Sequence, residues 1–285
     1  EGEDIGANVV VAADGAMSFI TEQAGLRSKH APEHSAIGVK ETLELSRKTI
    51  EDRFNLHGDE GAAQLYFGNV TKGLTGGGFL YTNRESISLG IVVGIGALMT
   101  DQRHLETYQI MEEFKERPEV SVLVQDAETV EYSAHSIPEG GIKCVPRLCD
   151  DGIVVVGDAA GFALNMGIIV RGMDLAIASG VMAADAIIAA KNRGDYSASS
   201  LSTYETKLND SFVMKDLWTF RNIWTILDNP RLFQKYPQAF GTLLSDLMFI
   251  GSEPKPKLSS TVLKQIRKNF LNMSALKDAL GLLSI

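Results

Sequence analysis

The stretch Gly152–Gly180, GIVVVGDAAGFALNMGIIVRGMDLAIASG, constrains this chain more than any other. Ile153-Val154-Val155-Val156 is an apolar, β-branched run that predicts a buried strand. Gly157-Asp158-Ala159-Ala160-Gly161 then turns the chain with small residues and one acid. From about Gly167 the pattern predicts a long Ala- and Ile-rich helix reaching Lys191. Strand, small-residue turn and helix bring backbone close to a ligand, and a helix N-terminus beside the turn receives negative charge.

The same arrangement occurs at the start of the chain. Asn8–Ala13 predicts a buried strand, and Asp14-Gly15 with a short helix to about Leu26 follows it. A parallel strand of this kind needs neighbours, so the expectation is that the chain is the C-terminal part of a longer protein. Taken singly, each acid is most simply a turn that caps a helix. Two such units in one chain, bracketing a different texture, make a dinucleotide-like ligand between them the better reading. For Arg171, an ion pair with Asp174 competes evenly with a ligand contact.

Between the two units the pattern changes. Ala36–Leu45, Ala62–Val70, Gly77–Thr82 and Ser86–Val93 predict strands, with Lys72–Gly78 as a mobile loop and Asn83-Arg84-Glu85 as a hairpin connection. Leu105–Lys115 predicts an amphipathic helix with Tyr108, Met111 and Phe114 on its apolar face. Glu119–Gln125 is a second helix after Pro118, and Thr129–Ala134 one more strand. Past Asp195 the pattern is helical over Ser200–Asp216, Pro237–Met248, Thr261–Leu271 and Ala275–Leu282.

The fold class expected is α/β with an α+β insertion. A partial FAD/NAD(P)-binding Rossmann-like domain (1–30 and 143–195) is interrupted by an antiparallel β-sheet domain (31–142), and a helical C-terminal region (196–285) follows.

With 285 residues and a net charge of −9, the chain has no basic field for nucleic acid, and no nucleic-acid role is expected. No stretch reaches the roughly 18 uninterrupted apolar residues of a membrane span. Cys144 and Cys149 cannot complete a four-ligand metal site, so buried thiols and a cytoplasmic setting are the simpler reading. The five histidines fall in no metal spacing, and no nucleophile elbow is present. With no catalytic acid–base set and no metal site, a cofactor is expected to carry the chemistry. Leu243, Leu244, Leu247, Met248, Phe249 and Ile250 raise peripheral membrane contact, but burial against the tail is the preferred expectation.

Longer motifs narrow the class. IGVKE (Ile37–Glu41), GGGFLYTN (Gly76–Asn83), EYSAHSIPEGG (Glu131–Gly141), GDAAGFALN and RGMDLAIASG resemble the FixC family. That family comprises relatives of electron-transfer flavoprotein:quinone oxidoreductase, within the hydroxylase-type FAD-fold group. The resemblance runs from Val9 to about Tyr236. It implies FAD as cofactor, with Ala13, Asp14 and Gly15 near its phosphates and Gly157 and Asp158 at the ribityl chain. It further implies Ala159, Gly161 and Asn165 along the pyrophosphate and flavin approach. Gly167 to Gly172, including Val170 and Arg171, would face the pyrimidine edge of the ring.

The expected activity is a relay of electrons from an electron-transfer flavoprotein through FAD to a quinone or a ferredoxin-like subunit, at the inner face of the membrane if quinone is the acceptor. Rival readings are a flavin-dependent reductase or hydroxylase of a lipid-like or aromatic substrate, of the geranylgeranyl-reductase type, and a flavin-free docking module. The chain departs from the family pattern in lacking the Gly-rich G-x-G-x-x-G segment and an iron–sulfur cysteine cluster, and in carrying Cys144 and Cys149.

Overall fold

The computed structural model describes residues 4–28, 32–167 and 169–282. In chain order the strands are β1 (Val10–Ala12), β2 (Ser35–Glu44), β3 (Ala63–Phe67), β4 (Gly76–Thr82), β5 (Ser86–Gly94), β6 (Glu128–Pro138), β7 (Cys149–Asp150), β8 (Ile153–Val155), β9 (Leu164–Asn165) and β10 (Val170–Arg171). The helices are α1 (Phe19–Gln23), α2 (Arg47–Phe54), α3 (Ile95–Thr100), α4 (Thr107–Lys115), α5 (Pro118–Val124), α6 (Met173–Arg193), α7 (Ala198–Leu201), α8 (Thr203–Asp210), α9 (Phe212–Thr219), α10 (Trp224–Leu227), α11 (Lys235–Met248), α12 (Leu258–Asn269) and α13 (Met273–Leu282). They divide into two compact units, residues 1–36 with 136–223 and residues 37–135 with 224–285.

The first unit is built on a three-stranded sheet of order β1-β8-β7. Strand β1 runs parallel to β8, with Val10 opposite Ile153 and Ala12 opposite Val155, and β7 returns antiparallel. Val154 and Val155 are fully buried, as their run predicts. In β1, however, Val10 and Val11 are 43% and 45% exposed, and only Ala12 is buried. Among the described residues β1 pairs only with β8.

Helix α6 buries Leu175, Ser179, Ala183, Ala186 and Ala190 along one stripe. These small side chains let the helix pack closely in a core that also holds Phe162, Tyr204 and Leu217. The helix starts at Met173 rather than near Gly167, because β9 and β10 first form a short antiparallel ribbon. The single helix expected over Ser200–Asp216 is broken at Ser202 and Ser211, and the Ser211 hydroxyl accepts the Val213 N–H to start α9.

The second unit carries a five-stranded sheet of order β3-β4-β5-β2-β6. Leu80, Ile87, Leu89, Ile91 and Val93 are fully buried in its core with Ile110, Met111 and Phe114 of α4. Strand β4 begins one residue before the expected Gly77–Thr82, and Gly76–Gly78, which also fell in the expected mobile loop, are paired with Val93, Val92 and Ile91. A Cβ on Gly78 would lie 2.7 Å from the Phe114 ring, so glycine is what lets α4 seat on the sheet. Tyr108 stands outside that seam, 54% exposed, and Ile110 takes its place. The helical tail joins this unit through Phe233 against Phe67, at 5.0 Å between ring centroids, and through the Gln234 amide donating to the Gly73 carbonyl at 3.2 Å.

Burial of the α11 end is overturned. Leu244, Met248, Phe249 and Ile250 are exposed, and only Leu243 and Leu247 are half-buried. The reason is geometric: Phe240, Leu244 and Met248 recur every four residues on the face opposite buried Ala239.

Candidate cofactor site

Both predicted turns lie at the carboxyl ends of the parallel strands β1 and β8, where open α/β sheets receive ligands. At the first, the Asp14 carboxylate is committed locally. It accepts the Ser18 hydroxyl at 2.5 Å and the Ile20 N–H at 3.1 Å, and so starts α1. Burial works against ionisation there, but these two bonds and the nearby Arg27 charge hold the carboxyl below its ordinary range. Gly15 has φ +80° and open space where a Cβ would stand. Ala13 beside it is exposed.

At the second turn, Gly157 has φ +59°, and a Cβ there would lie 3.3 Å from that of Ala176. Its N–H donates to the Ser179 hydroxyl on α6 at 3.0 Å. Gly161, with φ +70°, passes the Cys144 carbonyl so closely that a Cβ would sit 3.0 Å from it. These contacts fix the turn against α6. They place half-buried Asp158 at the N-terminal end of that helix, with one carboxylate oxygen 3.8 Å from where a Gly172 Cβ would be. Ala159 is buried.

Arg27, missed by the sequence patterns, joins the two turns. Its guanidinium donates to the Ser18 carbonyl at 3.4 Å and to the Ala159 carbonyl at 3.5 Å. A charged side chain bridging carbonyls 141 positions apart in sequence leaves no periodic signal to read.

The loop from β9 to α6 brings Asn165, Gly167, Val170 and Gly172 together. Val170 pairs with Asn165, the Asn165 carbonyl oxygen Oδ1 accepts the Gly167 N–H at 2.8 Å, and Gly167 takes φ +92°. Ile168, within the predicted stretch, lies outside the described residues. The Arg171 side chain is drawn away by ion pairs to Asp174 at 2.5 Å and Asp216 at 2.7 Å. Glu139, also missed, is 3% exposed and accepts the Asn165 amide Nδ2 at 3.4 Å. Burial pushes its carboxyl up to about 7, the Asn165 bond opposing.

Burial pushes the thiols of Cys144 and Cys149 up, the latter to about 11, which makes them poor nucleophiles. No group of three metal-ligating side chains occurs among the described residues.

Comparison with known proteins bears out the resemblance carried by the motifs. Residues 35–137 match the family described as ETF-QO, ubiquinone-binding. A probable electron transfer flavoprotein-quinone oxidoreductase of Escherichia coli is 45% identical over 280 residues, covering 98% of this chain and 65% of that protein. FixC of Salmonella typhi is 41% identical over 282 residues, covering 98% and 64%. Along nearly its whole length the chain is similar to FixC sequences. It spans just under two thirds of the length of these relatives. Among solved structures, a geranylgeranyl bacteriochlorophyll reductase-like protein of Thermoplasma acidophilum shares the fold at TM-score 0.60 and 19% identity, over 95% of this chain and 62% of that one. A flavin-dependent brominase does so at TM-score 0.51 and 14% identity, over 92% and 64%. The mixed α/β architecture with an inserted antiparallel sheet is therefore a fold that these two solved structures share.

Proposed function

We propose that this chain serves a FAD-dependent oxidoreductase that passes electrons to a quinone. The observation that carries the reading is the pair of glycine–acid turns at the carboxyl ends of β1 and β8, tied by Arg27, in a chain 45% identical to a quinone oxidoreductase. The residues present fit FAD. Gly15 leaves open backbone, and Asp158 offers acceptor oxygens beside a helix N-terminus. When bound, FAD supplies uptake and release of electrons singly or in pairs.

The chain's own residues would then bind and orient. Ala13, Asp14 and Gly15 would line the phosphates, with Asp14 holding α1 rather than touching the ligand. Gly157 and Asp158 would take the ribityl hydroxyls, with Ala159, Gly161 and Asn165 along the approach. Gly167, Val170 and Gly172 would present backbone to the pyrimidine edge, and Arg171 would support α9 through Asp216. No side chain is assigned proton transfer to substrate.

The electron donor of this reading is an electron-transfer flavoprotein. The quinone acceptor is supported by the ubiquinone-binding match over the sheet unit, and a ferredoxin-like subunit is the alternative acceptor. A lipid-soluble acceptor calls for a membrane surface, and the exposed Phe240, Leu244, Met248, Phe249 and Ile250 offer an apolar edge. Residues 249–285 add six basic side chains against two acidic ones in a chain of net charge −9. Flotation with anionic but not with neutral vesicles is expected, and no flotation with either would remove the membrane from the reading.

The deciding experiment is an absorbance spectrum of the purified chain after FAD addition and desalting. Retained bands near ~370 and ~450 nm are expected, and Asp158→Ala should lose them. A chain that stays colourless beside a yellow relative of full length would favour the docking-module reading. Fast bleaching by NADPH, with none by reduced electron-transfer flavoprotein, would favour a geranylgeranyl-reductase-like activity.

A further inference from the structure

Glu139 follows β6 in the sequence Pro138-Glu139-Gly140-Gly141 and is held from both sides. Its backbone N–H donates to the His34 carbonyl at 2.9 Å, and its carboxylate accepts the Asn165 Nδ2 at 3.4 Å. The other end of the same amide accepts the Gly167 N–H at 2.8 Å. Two hydrogen bonds therefore run from a buried acid, through one amide, to the backbone of the loop that precedes α6.

An asparagine amide can be turned by 180° at almost no cost in shape, so its orientation is set by its partners. An ionised carboxylate only accepts, and it forces the NH2 end of Asn165 toward itself and the oxygen toward Gly167. A protonated carboxyl can instead donate to the amide oxygen, and the turned amide then has no acceptor for the Gly167 N–H. We propose that Glu139 is a positioning residue whose ionised carboxylate locks the Asn165 amide onto Gly167, and whose protonation releases that loop. Burial brings the change into the neutral range by pushing the carboxyl up to about 7.

Among the described residues, the titratable groups placed beside this segment are His34 and Cys144, with Lys143 and Arg27 near the latter. His34 Cβ and Cys144 Sγ crowd the space at Gly140, so that no side chain fits there. Lys143 and Arg27 act on the Cys144 thiol. The proposal rests on the FAD reading only for its consequence, a backbone N–H near the flavin that comes and goes with pH. Its test needs no flavin, so the two can fail separately.

In the full chain labelled with 15N-glycine, Gly167 amide exchange is followed from pH 5.5 to 8.5 and corrected for the intrinsic rate. Protection about tenfold greater above neutrality than below is expected, the worth of one charge-assisted hydrogen bond. Glu139→Gln can donate and accept but cannot titrate, so the step should vanish while His34→Gln keeps it. A step that survives in Glu139→Gln, or no step in the native chain, overturns the proposal. Should Glu139→Gln not fold, a 13C-carboxyl label in the native chain settles the matter. Glu139 and the Gly167 amide must titrate with one midpoint, and two separate midpoints overturn it.

Discussion

The sheet unit and the turn-bearing unit of this chain are stabilised by different means. In residues 37–135 the strands are long, and β2, β4 and β5 are paired on both edges. Their buried side chains alternate along the strand, as in Ile87, Leu89, Ile91 and Val93. In the other unit the parallel pair is three residues long and leaves two valines half in water. What holds it is a set of directed bonds between distant residues. The buried Tyr204 hydroxyl donates to the Val155 carbonyl at 2.8 Å, and Gly157 N–H reaches Ser179. Apolar alternation builds a framework, whereas single hydrogen bonds hold a site in a chosen shape.

That contrast can be broken by substitution. Phe114→Ala empties the position that α4 presses onto the sheet and is expected to cost about 3–5 kcal/mol, read from a denaturation midpoint. A loss below about 1 kcal/mol would mean the sheet unit is less tightly packed than its burial shows. Glu139→Gln should act through pH. The native carboxyl keeps its proton to about 7, against 4.5 for an unperturbed glutamate, so native-state protons exceed those of the unfolded chain between these values. The stability this contributes is full below about pH 4.5 and lost as pH rises through 7. The variant should therefore gain on the native protein between pH 5 and 8 by on the order of 3 kcal/mol. Equal slopes in both proteins would show that Glu139 is ionised throughout.

Tyr204→Phe removes one buried bond and leaves the Val155 carbonyl unpaired, for about 1–3 kcal/mol. Val10→Thr in β1, where the side chain is 43% exposed, should change stability by no more than about 0.5 kcal/mol. If it costs as much as a change in β5, the Val10 side chain is covered in solution and the contrast between the units is smaller than the exposures indicate.

The fold was readable where a period was present. Strands β4 and β5 and helix α6 follow from alternation and small-residue spacing, and the two acid turns from glycine beside a β-branched run. Reading was misled at Tyr108, because helical spacing alone places Tyr108, Met111 and Phe114 together while the sheet selects Ile110 instead. The glycines at 76–78 were legible both as the end of a loop and as the start of a strand, since nothing local announces that Phe114 will press where the Gly78 side chain would be. At the site, Asp14 and Asp158 could be named from the chain, but their employment could not. One caps its own helix, and the other is placed by Gly157 and Gly161 packing on α6 and Cys144.

By itself, the sequence determined the mixed α/β class, the resemblance to FixC, and the positions of the two turns, because these depend on local periodicity and on motifs that stand as strings. Only the tertiary structure decided that Arg27 joins the turns, that Arg171 is turned to Asp216, and that Glu139 is buried against Asn165. The physical reason is distance along the chain. A hydrogen bond is satisfied by whichever donor folding brings within about 3 Å, and the sequence encodes that neighbour only through the packing of everything between.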